Sequence, residues 1–242
     1  MIQWSRSLIF VAQMYLALAL LALIFTPIAI FRREASLYWM QAFCRWVRFS
    51  ARIIVGLRSE VRGTVPSGAV LIAAKHQSFF DSIIMFSILD APRFIMKKQL
   101  VYVPLAGWNA LRIGCIPVDR GKRGAAIKQM VEAVAAGAQR PGQLIIYPQG
   151  TRIAPGVQVP YKVGTGVLYS QLQQVCVPVG TNVGVFWPRK GILRKPGLAV
   201  VEFLPPIPPG MEVAPFMAKL EAVVEASSNR LITEAGFHPQ GQ

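Results

Sequence analysis

An uninterrupted apolar segment near the N-terminus most constrains what this chain can fold into. Residues 8–31 are 24 consecutive residues without a charged side chain. As an α-helix, such a segment extends about 36 Å, whereas the hydrocarbon core of a membrane is about 30 Å thick. A chain of 242 residues has little interior in which to bury a helix of this length. The segment therefore predicts a membrane-embedded helix, which either spans the bilayer or lies in one leaflet.

The segment that follows is basic and amphipathic. Residues 36–57 carry aromatic side chains, Trp39 and Trp46 among them, together with Arg45 and Arg48. Basic side chains with long stems and amphipathic aromatic rings are typical of helices in the headgroup layer of a membrane. We therefore predict that residues 1–58 form an N-terminal membrane-embedded segment of two helices.

Arginines are distributed unequally around the apolar segment. Arg6 precedes it, whereas four arginines follow it closely, namely Arg32, Arg33, Arg45 and Arg48. Positively charged flanks remain on the cytoplasmic side of a membrane. The rest of the chain is therefore predicted to face the cytoplasm, at the inner membrane if the protein is bacterial.

The overall charge indicates which partners the chain favours. There are 26 Lys and Arg residues against 11 Asp and Glu, a formal net charge of +15. Such an excess favours anionic partners, including an acidic lipid surface, phosphate headgroups and acidic acyl carriers. The basic residues are scattered among apolar segments without a recognition-helix or zinc pattern, so we do not expect nucleic acid as a partner.

The three cysteines are widely separated and each has apolar neighbours. Cys44, Cys115 and Cys176 have no metal-ligand spacing and are odd in number. This pattern is typical of reduced core residues in a cytoplasmic protein. Cys115, although it lies within a motif described below, is interpreted as a packing residue rather than a nucleophile.

Beyond residue 58, short apolar runs alternate with segments of helical periodicity. Strands are predicted at 69–74, 144–147, 175–179 and 198–204, and helices at 124–139, 163–173 and 212–235. Strands that alternate with helices predict an α/β fold with a mixed, mostly parallel sheet flanked by helices. We assign residues 59–242 to this second domain.

The first chemically informative motif lies between a buried strand and a helix. His76 follows the apolar run 69–74 by two residues, and Asp81 follows His76 by five. In a turn of this kind the carboxylate can accept the imidazole N–H, which leaves the other ring nitrogen free to take a proton from a substrate hydroxyl. Taken alone, a helix-capping turn beside a packed histidine explains the same residues.

Three further motifs follow in order. They are Gly-Cys-Ile-Pro-Val-Asp-Arg at 114–120, Tyr-Pro-Gln-Gly-Thr-Arg at 147–152 and Val-Pro-Val at 177–179. The four blocks together resemble the glycerolphosphate and lysophosphatidate acyltransferase family, whose blocks are H-x4-D, a segment ending in Arg, F-P-E-G-T-R and a V-P-V-type strand. The resemblance covers about residues 60–205. Gln149 replaces the usual Glu of the third block, and Gln99 replaces a Glu that commonly follows Lys97.

The resemblance implies roles for individual residues. His76 is the general base and Asp81 orients it, so that the substrate hydroxyl attacks a thioester directly. Residues 59–242 become an acyltransferase catalytic domain of the glycerolphosphate acyltransferase fold. The residues implied to bind substrate are Arg120, Gln149, Gly150, Thr151, Arg152 and Lys97; guanidinium groups match phosphate oxygens particularly well.

The predicted function is transfer of a fatty acyl chain from acyl-CoA or acyl carrier protein to the free hydroxyl of a lysophospholipid. The favoured acceptor is 1-acyl-glycerol-3-phosphate, which would give phosphatidic acid, and the resemblance implies neither a metal nor a cofactor besides the acyl donor. The two Gln replacements leave open another lysophospholipid with a larger headgroup, or an aminolipid. A non-catalytic protein that binds anionic membranes on the same fold is the remaining alternative.

Overall fold

The N-terminal part of the molecule is a pair of helices. A computed structural model describes residues 1–119, 130–132, 134 and 142–238. Helix α1 (Ile2–Phe31) and helix α2 (Arg33–Ser50) are separated by Arg32 alone, whose φ of −122° is extended, and α2 continues into a π-helical turn, Ala51–Val55. The two predicted helices are thus present, and Pro27 lies inside α1.

The centre of the molecule is a mixed seven-stranded sheet in the order β1-β7-β6-β2-β5-β3-β4. Strands β2 to β6 are parallel to one another, whereas β1 and β7 run the opposite way. The strands are β1 (Leu57–Arg62), β2 (Val70–Ala74), β3 (Pro92–Lys97), β4 (Ile116–Val118), β5 (Gln143–Ile146), β6 (Cys176–Thr181) and β7 (Gly197–Phe203). The predicted mixed, mostly parallel sheet is confirmed.

Helices cover both faces of this sheet. They are α3 (Phe79–Ile88), α4 (Ala106–Arg112), α5 (Gly164–Leu172) and α6 (Val213–Glu234), with short 3-10 turns at Lys98–Tyr102 and Val183–Val185. Along β2, Ile72 and Ala74 join the apolar cluster that contains residues of α1, α2 and α3. Leu71 and Ala73 join the cluster with α5 and α6. Successive side chains of a strand point to opposite faces, so β2 lies between two apolar layers.

The predicted elements agree with these bounds, although three strands and helix α4 were not predicted. The strands predicted near 69–74, 144–147, 175–179 and 198–204 correspond to β2, β5, β6 and β7, and the helices predicted at 163–173 and 212–235 to α5 and α6. Strands β1, β3 and β4 were not predicted. The helix predicted at 124–139 falls largely outside the described residues.

Helix α1 is long, apolar and attached at both ends. Its 30 residues include an 18-residue window with a mean hydropathy of 2.5, of which only 17% is buried, so by length and composition it can cross a membrane. Near its start, Gln3 Nε2 donates to Arg194 O at 2.7 Å. Near its end, Arg112 Nη2 donates to Ile30 O at 2.9 Å. Helix α1 therefore runs along the remainder of the protein.

Candidate active site

His76 and Asp81 form the hydrogen-bonded pair that the sequence predicts. His76 Nδ1 lies 2.9 Å from Asp81 Oδ1. An ionised carboxylate can only accept, so Nδ1 carries the proton and Nε2 retains a lone pair. Among the residues that the structure describes, no hydrogen bond engages Nε2, and the His76 side chain is 15% exposed. The imidazole is therefore partly accessible from outside the protein.

The N-terminus of α3 holds the Asp81 carboxylate in place. Ser78 is the N-cap, and its side chain accepts from Phe80 N. Asp81 Oδ2 accepts from the backbone amides of Gln77 at 2.9 Å and Ser78 at 2.8 Å. This is a capping box, which satisfies backbone donors left unpaired at the start of a helix. The capping interpretation and the catalytic one are therefore compatible, because Oδ2 caps the helix while Oδ1 orients His76.

Tyr147 is a part of the site that the motif alone did not identify. Its ring stacks on the His76 imidazole with a centroid separation of 3.8 Å and an interplanar angle of 13°. Its hydroxyl lies 2.5 Å from Ser82 Oγ and 3.5 Å from Asp81 Oδ1. The phenol thus fixes the plane of the imidazole and reaches the same carboxylate. One indication in the sequence that Tyr147 belongs to the site is that it is the first residue of the third block.

Residues of the motifs lie at the carboxyl ends of three parallel strands. His76 follows the end of β2, Tyr147 follows the end of β5, and Lys97 is the last residue of β3. These strands are parallel, with β5 between β2 and β3, so their carboxyl ends lie side by side. Ligands collect at this edge in open α/β sheets. Lys97 is exposed there, and Arg120 lies outside the described residues.

The turn that follows β5 is attached to His76 by its backbone. Ile153 N donates to His76 O at 2.8 Å. Within the turn, Gly150 adopts a left-handed φ of 70° and its N–H donates to Tyr147 O at 2.8 Å. Glycine adopts that conformation without steric cost. Thr151 and Arg152 thereby come next to the segment that carries the proposed base.

Gln149 is buried and turned toward the following loop. Its side chain is 2% exposed, and Nε2 donates to Val159 O at 3.1 Å. Its Oε1 is buried without a hydrogen-bond partner among the described residues. The amide donates to a carbonyl, which a carboxylate cannot do. Its role in substrate binding stays a prediction.

Several cations surround this turn. Arg152 is half-buried; its Nη1 donates to Arg189 O at 3.4 Å, and Arg189 Nη1 donates to Arg152 O at 3.3 Å. Lys162 lies beside Gly150, since a Cβ on that glycine would be 2.9 Å from Lys162 Nζ. Arg189 and Lys162 were not predicted, because Arg189 lies in no recognisable motif and reaches Arg152 only through the fold.

A second charged group lies on the opposite side of β2. Lys75 Nζ donates to Glu225 of α6 at 2.6 and 2.8 Å, and the Lys75 side chain is 3% exposed. Tyr161 OH also donates to Glu225, at 2.8 Å. Burial, reinforced by the Glu225 carboxylate, raises the pKa of Tyr161 above the ordinary value for a phenol. The hydroxyl therefore remains a donor.

The predicted burial of the three cysteines is confirmed, and each is a free thiol. Burial raises the pKa of Cys115 to about 11. It raises the pKa of Cys44 and of Cys176 to about 12. The thiolate is the nucleophilic form of cysteine. None of these thiols is therefore prepared to carry an acyl group at neutral pH.

The comparison with protein families agrees with this geometry. The model of the family described as Acyltransferase matches residues 58–182, a range that contains His76, Asp81 and Arg152. The chain belongs to this family and is an acyltransferase, as its four motifs predicted.

Individual relatives narrow the resemblance. The chain is 27% identical to the 1-acyl-sn-glycerol-3-phosphate acyltransferase of Pseudomonas aeruginosa over 216 residues, which are 88% of this chain and 84% of that protein. It is 31% identical to the human 1-acyl-sn-glycerol-3-phosphate acyltransferase alpha over 162 residues, 65% of this chain and 57% of the human protein.

A solved structure shares the fold. The crystal structure of the 1-acyl-sn-glycerophosphate (LPA) acyltransferase PlsC from Thermotoga maritima superposes with a TM-score of 0.74 at 16% sequence identity. The superposition covers 93% of this chain and 97% of the other. The predicted acyltransferase fold, including the helices that precede the sheet, is thereby confirmed.

Proposed function

We propose that this protein transfers a fatty acyl chain from acyl-CoA or acyl carrier protein to the free hydroxyl of 1-acyl-glycerol-3-phosphate, giving phosphatidic acid. The observation that carries the proposal is the His76–Asp81 pair beyond the carboxyl end of β2, in which Nδ1 is engaged and no described residue bonds Nε2. Oriented in this way, an imidazole can act as a general base toward an alcohol.

The reaction needs no covalent enzyme intermediate. The acceptor hydroxyl gives its proton to His76 Nε2 while its oxygen attacks the thioester carbonyl carbon. The C–S bond of the resulting tetrahedral intermediate breaks, and the leaving thiolate takes the proton back from the imidazolium. The products are an ester and a free thiol. The acceptor hydroxyl thus takes the place of the serine in a hydrolase triad.

The charge of the site supports a phosphate-bearing acceptor. Arg152, Arg189 and Lys162 surround the turn beside His76, and Lys97 lies at the same edge of the sheet. A guanidinium group offers two parallel N–H donors to a phosphate. The names of the relatives from Pseudomonas aeruginosa and human point to the same acceptor.

The attachment of α1 supports a protein embedded in one leaflet of the membrane. Both ends of α1 are bonded to the same folded unit, through Arg194 and through Arg112. The helix cannot place its ends on opposite sides of a bilayer unless the sheet crosses as well. Its free face exposes large apolar side chains, for example Leu16 at 60% and Leu23 at 67%. Burying that face in lipid removes it from water.

The test is thiol release from acyl-CoA and from acyl carrier protein, measured with and without added lysolipid. His76→Ala should lower turnover by about 10²–10⁴-fold, the usual contribution of a general base. His238→Ala is the matched control, because the only other histidine is exposed near the C-terminus. Near-normal turnover of the His76→Ala protein would contradict the proposed mechanism. Thiol release that does not depend on lysolipid would contradict acyl transfer.

The acceptor phosphate is tested at Arg152. Arg152→Ala should lower kcat/KM for 1-acyl-glycerol-3-phosphate by at least about tenfold, since charge-assisted contacts contribute roughly 1.5–3 kcal/mol. The KM for the thioester should change less. Loss of the same size for an acceptor that lacks the phosphate would show that Arg152 does not recognise this group.

A further inference from the structure

A basic pocket lies between α2 and the start of β1. It has a volume of about 460 Å³ and is lined chiefly by the side chains of Arg45, Arg48, Arg52 and Arg58. Arg45 and Arg48 of α2 and Arg52 of the π-helical turn that continues it are three or four residues apart, which places them on one side of this helical segment. Arg58 belongs to β1, the strand at the edge of the sheet beyond β7 and β6. Three strand spacings, about 14 Å, therefore separate β1 from β2 and its histidine.

One of these arginines is held in a fixed position. Arg48 Nε donates to Ser59 Oγ at 2.9 Å and its Nη1 donates to Ser87 Oγ at 2.9 Å. The two serines are on β1 and α3, so the guanidinium is supported by two elements. Its Nη2 makes no hydrogen bond within the described part of the chain. A guanidinium with one unused end directed by two hydroxyls is oriented before a ligand binds.

The other three arginines carry uncompensated charge. Arg45, Arg52 and Arg58 are exposed, and none forms an ion pair with any residue that the structure describes. The carboxylate at the pocket, Glu60, is bonded to Arg62 at 2.6 Å. Four guanidinium groups around one concave surface favour an anion with several oxygens, and phosphate matches their paired N–H donors.

The surroundings of the pocket indicate that the anion comes from a membrane. Phe49, which lines the pocket, is 57% exposed, and its ring lies 5.9 Å from that of Trp46. Trp46 Nε1 donates to Gln13 Oε1 of α1, and Ile53 on the same side is 60% exposed. The apolar face of α1 thus continues across α2 to the rim of the pocket. Apolar side chains beside arginines are suited to the boundary between acyl chains and headgroups.

We propose that this pocket binds the phosphate group of an anionic membrane phospholipid, at a site separate from the one that binds the acceptor. The arginine forks contact the phosphate, while Phe49 and its neighbours lie against the acyl chains of the same lipid. The lipid is a ligand and not a reactant. The proposal does not depend on the identity of the acceptor.

The test uses the full chain in neutral detergent and dioctanoyl phosphatidylglycerol as the probe, with binding followed by native mass spectrometry. The double variant Arg52→Lys/Arg58→Lys keeps the charge but removes two guanidinium forks, so binding should weaken about tenfold. Lys219→Gln, which removes an exposed charge on α6, is the control and should bind like wild type. Both arginines are exposed and unbonded within the described residues, so the thermal unfolding midpoint should be unchanged.

Several outcomes would overturn the proposal. Equal binding by wild type and the double lysine variant would mean that only diffuse charge attracts the lipid. Equal binding of dioctanoyl phosphatidylcholine, which has no net charge, would mean that the acyl chains alone are recognised. Displacement of the lipid by millimolar inorganic phosphate would assign the pocket to a soluble anion. Acyl carrier protein that binds without lipid and loses affinity in the double variant would assign it to an acidic protein.

The proposed function is tested separately. His76→Ala should retain phosphatidylglycerol binding while acyl transfer is lost. Failure of the catalytic proposal would then appear in turnover alone, and failure of the pocket proposal in lipid binding alone.

Discussion

Lys75 and His76 are neighbours in the chain, yet they lie on opposite sides of the sheet. His76 pairs with Asp81, five residues away, on the side covered by α3. Lys75 pairs with Glu225, 150 residues away, on the side covered by α6. Each group also includes a tyrosine, Tyr147 on the first side and Tyr161 on the second.

The two groups differ in what they leave unused. Glu225 accepts from both Lys75 Nζ and Tyr161 OH, and the Lys75 side chain is 3% exposed, so this group is a buried contact between elements. His76 keeps Nε2 free and is 15% exposed. A buried ion pair joins two elements, whereas an imidazole whose Nε2 has no hydrogen-bond partner can accept a proton there. We therefore expect the His76 group to govern turnover and the Lys75 group to govern stability.

The largest expected effect is on the His76 side. Asp81→Asn should reduce turnover by about 10²–10⁴-fold, because an amide can present its NH2 group to Nδ1 and favour the wrong tautomer. The thermal unfolding midpoint should fall only slightly, since the amide oxygen can still cap α3. Turnover and midpoint measured on one preparation check this. A midpoint that collapses together with turnover would contradict the division between the two sides.

Lys75→Met should act mainly on stability. Removing one partner of a buried pair costs about 3–5 kcal/mol, and the 17% exposure of Glu225 places this case at the low end. The double variant Lys75→Met/Glu225→Leu should recover much of that loss, because it leaves no unpaired carboxylate. Denaturant unfolding in detergent gives the values. Turnover that vanishes in a normally stable Lys75→Met protein would show that the lysine acts on His76.

The smallest expected effects come from a matched pair of hydroxyl deletions. Tyr147→Phe keeps the ring stacked on His76 and should lower turnover about two- to tenfold, in line with one hydrogen bond of 0.5–1.5 kcal/mol. Tyr161→Phe should leave turnover as it is and reduce the free energy of unfolding by about 1.5–3 kcal/mol, because the hydroxyl donates to a carboxylate. The reverse assignment, with Tyr161 affecting turnover, would remove the distinction between the two sides.

The His76–Asp81 contact was predictable from the sequence, and the Lys75–Glu225 contact was not. The His76–Asp81 contact lies within one strand-to-helix turn, so spacing along the chain was sufficient to propose it. The Lys75–Glu225 contact depends on where α6 returns to the sheet, which no local pattern records. The contact between Arg189 and Arg152 likewise depends on the fold and could not be predicted from a local pattern.

The fold shows the same limit. Strands β2, β5 and β6 were predicted because they lie inside the sheet and are almost continuously apolar. Strand β1 lies at one edge and carries Arg58, Glu60 and Arg62, while β4 at the other edge has only three residues. Edge strands need less apolar sequence, since one side is unpaired and partly exposed. Strand β3 begins with Pro92 and includes Arg93, which obscured its pattern.

The attachment of α1 at both ends has a consequence for how lipids reach the protein. The bonds from Arg194 and Arg112 leave no flexible tether between the apolar helix and the sheet. If α1 lies in one leaflet as proposed, the height of His76 above the acyl chains is a constant of the fold. Acceptors then arrive by sideways diffusion within the same leaflet, and the search for them is two-dimensional.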